Sequence, residues 1–376
     1  PNEYAKFLCK KGQIQHVMGN IAAARESLRQ AQELSKELGS SDNSEVSQAM
    51  DALAGVLGNT RPHINTDTSE EKELALIEAE RLMELGKIER LESHFELAFQ
   101  CFGDAREIFA RHGVRSSEAK AMTKIGLVHR DQGQYEPAFA FYTQALNITK
   151  EIGDEYNEAH LLASLGNVYQ AQGKYEPAIQ HFTHAIDIAK KIGARRSEGL
   201  FTGNFGNVYQ GLGQYDQAMA LYTQAINIAK EVGDNGSVGI YLGNLGNSFF
   251  IAGRLDEAEN SFRLSIPILD EAYPVAAGSD RGSLALLLAM QGKPEESFTL
   301  IKNGEPLVAP NPEEFAKFLC KKGQVQAITD DTDNARASLQ QAQEIATALG
   351  ISEQSSVGQA IADLRTILGE AATGGP

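Results

Sequence analysis

Amide side chains recur at a fixed interval through the middle of the chain. Asn167, Asn207 and Asn247 are 40 residues apart, and Asn204 and Asn244 each precede one of them by three residues. A primary amide carries a donor and an acceptor, so a row of amides can bond both polar groups of an extended peptide backbone. The same row can also bond neighbouring helices to one another. The pattern therefore predicts either a recognition ladder or a polar seam between helices.

Residues of catalytic and metal-binding types do not form a set. His181 and His184 are three residues apart and Asp187 follows at the next helical turn, but no other ligand stands at matching spacing. Cys9 and Cys320 lie among apolar residues at equivalent helix positions, which is typical of packing thiols. The sequence contains no P-loop, GxSxG or HExxH motif. We therefore predict a protein that is not an enzyme, with no metal and no cofactor.

The 40-residue interval belongs to whole segments of the chain. Residues 115–154, 155–194 and 195–234 align without a gap. In each segment apolar residues recur at helical spacing over two stretches, here called helices A and B. Gly173 is placed to end one helix A, and Pro177 falls in the first turn of the helix B that follows. We expect antiparallel helix pairs in which each pair covers the apolar edge of the previous one.

Small and aromatic residues recur at matching positions of these segments. In the middle segment they are Gly166, Tyr169, Ala178, Phe182 and Ala185. This set resembles the tetratricopeptide repeat (TPR). The interval and the Leu-Gly-Asn opening are similar to the extended repeats of kinesin light chain and of Leu-Gly-Asn-rich spindle adaptors. The resemblance implies an all-α, TPR-like right-handed α-solenoid of antiparallel helix pairs with end-capping helices.

The composition weighs against several classes of partner. The net charge of −16 disfavours a nucleic-acid surface, which needs clustered Lys and Arg, and it also disfavours an anionic membrane face. No run of 18 apolar residues is long enough to span a bilayer. The three cysteines form no close-spaced set. We therefore predict a cytoplasmic protein with no nucleic-acid or membrane partner.

The repeat pattern divides the chain. We expect a TPR array over 71–312, with about six repeats of which the last, 275–312, is degenerate. Residues 59–70 are polar and contain Pro62, which predicts a linker between this array and the residues before it.

A second repeat joins the two ends of the chain. The sequence EYAKFLCKKGQIQ from Glu3 returns as EFAKFLCKKGQVQ from Glu314, and the match continues without a gap. Both copies add a third helix, which hides the last apolar face of a solenoid. We predict capped units over 1–58 and 313–370, a disordered tail over 371–376, and looser docking of the first unit than of the central repeats. We also expect the chain to be part of a longer protein in which such arrays recur, similar to bacterial multi-array signalling proteins.

The TPR resemblance implies a non-catalytic scaffold that binds a peptide or protein segment in a concave groove lined by the A helices. The alternatives are a regulatory TPR segment of a larger bacterial enzyme, such as a protease, kinase or cyclase, and a receptor for a short signalling peptide. A second copy of the chain or a neighbouring domain is also an expected partner. By the same resemblance, the groove residues are Asn167, Asn204, Asn207, Asn244, Asn247, Gln170, Gln210, Lys124, Arg130 and Arg90.

Two further features refine this groove. The basic residues among these positions, together with Lys87, lie toward the N-terminal end of the array and predict an acidic portion in the ligand. Gly203 and Gly243 remove bulk from the A helices, and we expect them to give room for a ligand backbone.

Overall fold

Among the described residues of the chain, every regular element is an α-helix. The computed structural model describes residues 6, 8–12, 21–37, 49–54, 69–353 and 355–370. The chain divides into two compact units, Pro1–Gln132 and Gly133–Pro376. The predicted all-α solenoid of helix pairs is confirmed. The predicted tail over 371–376 lies outside the described residues.

In the part that the structure describes, the first unit contains four long helices. Its helices are α1 (Ile21–Glu37), α2 (Ser69–Leu91), α3 (Phe95–Arg111) and α4 (Arg115–Asp131). Residues 8–12 and 49–54 are helical as well. Since α2 starts at Ser69, the last two residues of the predicted 59–70 linker are helical, and the rest of that segment lies outside the described residues.

The N-terminal copy shares a hydrophobic cluster with the array of the first unit. Leu8, Cys9 and Leu53 are buried together with residues of α2 and α3, and Lys11 pairs with Asp104 of α3 at 2.6 Å. The described part of 1–58 is therefore docked by both apolar and charged contacts. That this docking is weaker than the contact between central repeats stays a prediction.

The second unit contains helices α5 to α16, with A and B helices alternating through α5 to α15. They are α5 (Tyr135–Ile152), α6 (Glu155–Ala171), α7 (Tyr175–Lys191), α8 (Arg195–Gly211), α9 (Tyr215–Glu231), α10 (Asn235–Ile251), α11 (Leu255–Ala272), α12 (Pro274–Met290), α13 (Pro294–Val308), α14 (Pro312–Ile328), α15 (Thr332–Ala348) and α16 (Ser356–Ile367). The A helices among them are α6, α8, α10, α12 and α14. The final helix α16 packs on α14 and α15 through Val357, Ile361 and Leu364.

Glycines in the left-handed conformation separate the helices of the central pairs, whereas Ser93 and Asp330 take this conformation between α2 and α3 and between α14 and α15. Gly173 has φ of +68°, where a side chain would be strained, and its N–H donates to the carbonyl of Gln170 at 2.9 Å. The N–H of Lys174 then donates to the carbonyl of Tyr169 at 2.8 Å, which closes the end of α6. The breaks predicted at Gly133, Gly173, Gly213 and Gly253 are confirmed.

A glycine on helix A faces an aromatic ring on helix B in the helix pairs α6/α7 and α8/α9. A Cβ on Gly166 would lie 2.9 Å from the ring of Phe182, and one on Gly206 would lie 2.7 Å from the ring of Tyr222. Both rings are fully buried. The ring fills the volume that a larger residue would take, so the two helices approach closely. The predicted role of the small and aromatic positions is confirmed.

Two alanines on α9 provide a matched test of this packing. Ala218 is fully buried at the contact between the helices, whereas Ala220 is exposed on the same helix. We expect Ala218→Leu to overpack the contact and lower the free energy of unfolding by about 1–3 kcal/mol. Ala220→Leu should leave it nearly unchanged. Chemical denaturation of both variants measures this, and equal effects would show that the helix pair is packed differently.

Candidate functional site

The amide row of the second unit is built around Asn207 of α8. Asn207 Oδ1 lies 2.7 Å from the hydroxyl of Tyr222 on α9, and it accepts a hydrogen bond of 3.2 Å from Asn244 Nδ2 on α10. The Tyr222 hydroxyl is also 2.6 Å from Gln210 Oε1. With one proton, the hydroxyl donates to one of these two oxygens at a time. These contacts tie three successive helices together on one side.

Tyr222 supports the row because its hydroxyl stays protonated. Burial raises the pKa of the Tyr222 phenol above its usual value, so the group remains a donor through the physiological range. Its ring is the one that packs on Gly206. The same side chain therefore fixes the spacing of α8 and α9 and the orientation of the amides on α8.

The polar row continues beyond the asparagines. Ser283 of α12 donates to Asn247 Oδ1 at 3.2 Å, and Lys321 of α14 donates to Ser283 Oγ at 2.7 Å. Next to it, Ser279 donates to Glu314 at 2.8 Å. The row of polar contacts thus extends over α8, α10, α12 and α14. Sequence reasoning missed Ser283 and Lys321, although both stand at the helix-A position held by Asn204 and Asn244 in earlier repeats.

Two of the predicted asparagines form no hydrogen bond in this row of polar contacts. Within the described residues, the side chains of Asn167 and Asn204 have no hydrogen-bond partner, and neither does that of Gln170. All three are half-buried on A helices. The structure therefore brings Asn207, Asn244, Asn247 and Gln210 into contacts with other side chains and leaves the remaining predicted amides available to solvent or a ligand.

The role expected for Gly203 and Gly243 is wrong. The ring of Tyr241 on α10 occupies the space beside Gly203, and the carboxylate of Asp280 on α12 occupies the space beside Gly243. A Cβ at either glycine would overlap these groups. The glycines make room for side chains of the next repeat and not for the backbone of a ligand.

Asp280 is a buried acid at this junction. It is almost fully buried, and Ser265 donates a hydrogen bond to it. Burial raises the pKa of Asp280 to about 6, and the Ser265 bond and the nearby charges of Lys321 and Arg281 offset only part of this effect. Burial likewise lowers the pKa of Lys321, although Asp280 and Glu314 act in the opposite direction.

The basic residues predicted for the groove lie in the first unit. Lys124 of α4 is half-buried, and its pKa is lowered by burial and then by the nearby charges of Lys87 and Arg90 on α2. Arg90 pairs with Asp131 at 2.5 Å, and Arg130 pairs with the same carboxylate at 3.0 Å. Lys87 pairs with Glu84 at 2.6 Å. Lys124 has no ion pair within the described residues, so its positive charge is the least compensated of the group.

Metal ligation has little support in the described residues. The ligand atoms of Glu89, Glu92 and His94 lie within 4.8 Å of one another at the turn after α2. Glu92 and His94 are exposed, and three such ligands do not complete a structural site. His181, a candidate considered from sequence, is bonded to the carbonyl of Pro177 on its own helix at 2.8 Å. We assign no metal to either place.

The repeats match known protein families over most of their length. A model described as tetratricopeptide repeat matches residues 78–151 and 117–191, another of that description matches 5–38, and a MalT-like TPR region matches 160–371. The last match spans more than half of the chain. The chain belongs to the tetratricopeptide repeat family. No curated protein shows significant sequence similarity to it.

Solved TPR structures share the fold at low sequence identity. Aspartyl phosphate phosphatase F from Bacillus subtilis matches with 15% identity and a TM-score of 0.62 over 94% of this chain and 95% of that chain. A Rap protein in complex with competence and sporulation factor matches with 15% identity and a TM-score of 0.59, over 93% and 99%. The Rap conjugation regulator of plasmid pLS20, in complex with a Phr peptide, matches with 16% identity and a TM-score of 0.53, over 92% and 98%. At these identities the likeness concerns the fold alone.

In the part of this TPR chain that the structure describes, no helix is both long enough and apolar enough to cross a membrane.

The raised pKa of Asp280 predicts a pH-dependent stability. The pKa of Asp280 is about 6 in the folded chain and lower in the unfolded chain. At a pH between these two values, folding is therefore accompanied by uptake of a proton. The contribution of Asp280 to stability thus becomes more favourable as the pH falls from about 7 to 4. Asp280→Asn removes the titrating group. We expect the melting temperature of the wild type, relative to this variant, to be higher at pH 5 than at pH 8. A constant difference would contradict the buried, shifted acid.

Proposed function

We propose that this TPR chain is a non-catalytic interaction module that binds an extended peptide along the amide row of its second unit. The observation that carries the proposal is the row itself. Its members stand on successive A helices and are half-buried, and two of them, Asn167 and Asn204, have no partner within the described residues. Half-buried amides without protein partners are suited to hydrogen bonds with a peptide backbone.

The contacts within the row decide which groups face a ligand. Asn207 Oδ1 is taken by Tyr222 and Asn244, and Asn247 Oδ1 by Ser283. The Nδ2 groups of Asn207 and Asn247 therefore remain as donors for backbone carbonyl oxygens. The same contacts hold the amides in place before binding, which lowers the entropy lost when a ligand is bound.

A short peptide is the ligand class that the similar structures favour. Two of the TPR proteins with this fold were solved with a bound ligand, the pLS20 regulator with a Phr peptide and the Rap protein with competence and sporulation factor. The similarity covers nearly the whole of those chains. It supports a peptide ligand for this chain, whereas an adjoining catalytic domain and a cytoplasmic location stay predictions.

The basic group of the first unit adds a separate patch for an acidic ligand. Lys124 is half-buried beside Lys87 and Arg90 and has no ion pair within the described residues. A carboxylate placed there would relieve the repulsion among the three cations. We infer that the ligand, or a second segment of it, is acidic.

The amide row can be tested with a phage-displayed random peptide library selected on the intact chain. We expect enriched peptides whose synthetic forms bind the wild type, and Asn204→Ala should weaken binding about 3–10-fold, the loss of one hydrogen bond. Because the Asn204 side chain has no hydrogen-bond partner within the described residues, the melting temperature of the Asn204→Ala variant should equal that of the wild type. A matched control is Asn157→Ala, whose side chain bonds Asp154 at the start of α6. If the selected peptides bind a variant that carries Asn204→Ala, Asn207→Ala and Asn244→Ala as tightly as they bind the wild type, they bind at another surface.

The basic patch is tested by Lys124→Gln. We expect acidic peptides from the same selection to bind this variant more weakly than the wild type at low salt, and the difference to shrink as ionic strength rises. Lys302→Gln, which changes an exposed lysine of the second unit, serves as the control. Equal binding of acidic peptides to the wild type and Lys124→Gln at low salt would exclude the patch as a binding site.

A further inference from the structure

Helix α2 presents large apolar side chains to solvent. Leu74 is 63% exposed, Ile77 56%, Ile88 52% and Leu91 74%. These four residues lie on one face of the helix, together with Arg81 and Glu84, because successive members are three or four residues apart. We call this set, from Leu74 to Leu91, the α2 stripe. Its spacing is that of the contact seam of a coiled coil.

Two positions of the α2 stripe, Arg81 and Ile88, correspond to buried residues in the later repeats. Ile88 corresponds to Val128, Val168 and Val208, which are at most 1% exposed. Arg81 corresponds to Ala121, Leu161 and Phe201, which are equally buried. On those A helices the face is covered by the neighbouring repeat. At Arg81 and Ile88, the α2 stripe therefore lacks, among the described residues, the neighbouring helix that covers the same positions of later repeats.

The order of residues in the α2 stripe is self-complementary. If two α2 helices cross antiparallel about an axis midway between Leu82 and Met83, Leu74 of one meets Leu91 of the other. In the same arrangement Ile77 meets Ile88, and Arg81 meets Glu84. A two-fold axis repeats each contact, so the stripe gives four apolar pairs around two central pairs of opposite charge. This is the form of an isologous interface, in which one surface serves both subunits.

We propose that the α2 stripe is a homodimer interface in which α2 pairs antiparallel with α2 of a second copy of this chain. The charges decide for a second copy over other occupants. An apolar segment of another kind would offer Arg81 and Glu84 no opposite charge across the interface, and burying charges without close partners is strongly unfavourable.

The ion pairs that Arg81 and Glu84 form within α2 compete only weakly with ion pairs across the proposed dimer interface. Arg81 lies 3.4 Å from Glu78 and Glu84 lies 2.6 Å from Lys87, in both cases one turn away along the helix. Exposed pairs of this kind contribute little to stability. The side chains of Arg81 and Glu84 are about half and two-thirds exposed, so they can turn toward a second helix without disturbing the core.

Charge reversal tests the pairing by sedimentation velocity over a micromolar concentration series. The wild type should dimerise. Arg81→Glu places Glu opposite Glu84 and Glu84→Arg places Arg opposite Arg81, so each variant alone should be monomeric. An equimolar mixture of the two restores opposite charges in every pair and should give a heterodimer. Lys72→Glu changes an exposed α2 residue outside the stripe by the same charge and should leave the wild-type dimer intact.

Three results would overturn the proposal. A wild type that stays monomeric throughout the series would mean that the stripe is covered by another part of the chain or by a different partner. A dimer that both reversals leave intact would use another surface. Single variants that are monomeric but do not associate when mixed would show that the charges do not face each other. Circular dichroism of each variant confirms that it is folded, since the substituted side chains are exposed.

Discussion

The close contact between a glycine on helix A and an aromatic ring on helix B is the constraint on which the repeats depend. In the repeat formed by α8 and α9, Gly206 receives the ring of Tyr222, and both residues are buried. A residue with a Cβ at this glycine would force the helices apart. The contact also serves the surface, because the hydroxyl of Tyr222 extends past the glycine to the amides of Asn207 and Gln210. Core packing and the geometry of the amide row are thus set by one side chain.

Stacking of helix pairs makes the ends of an array different from its middle. Each pair covers one apolar face of its neighbour, so the apolar face at the end of an array must be covered by a different element. In the second unit this element is α16, whose Leu364 packs against the backbone at Gly323. In the first unit, α2 retains its apolar face toward solvent. The two faces have different chemistry, since the α16 contact is centred on the apolar side chains of Val357, Ile361 and Leu364, whereas the face of α2 has Arg81 and Glu84 at its centre.

The fold was largely predictable because its determinants are local. The left-handed glycines, such as Gly173, and the small and aromatic positions act within one helix pair, so the 40-residue interval was enough to place them. The site was less predictable because it depends on neighbouring repeats. Gly203 and Gly243 looked like open positions, but Tyr241 and Asp280 from the next A helices fill them. The continuation of the row was missed because the interval shortens after residue 274 and serine and lysine replace asparagine.

The two roles considered for the asparagines are not exclusive. An amide has separate donor and acceptor atoms, so one atom can bond a neighbouring helix while the other faces outward. In Asn207 the oxygen accepts from Asn244 and shares the Tyr222 hydroxyl proton with Gln210, which leaves the Nδ2 hydrogens of Asn207 as donors. A row fixed by its oxygens presents mainly donors, and the complementary groups of a peptide backbone are carbonyl oxygens. Such a surface recognises an extended backbone more than any particular side chain, so sequence preference must come from the residues around the row, such as the exposed Leu200 of α8.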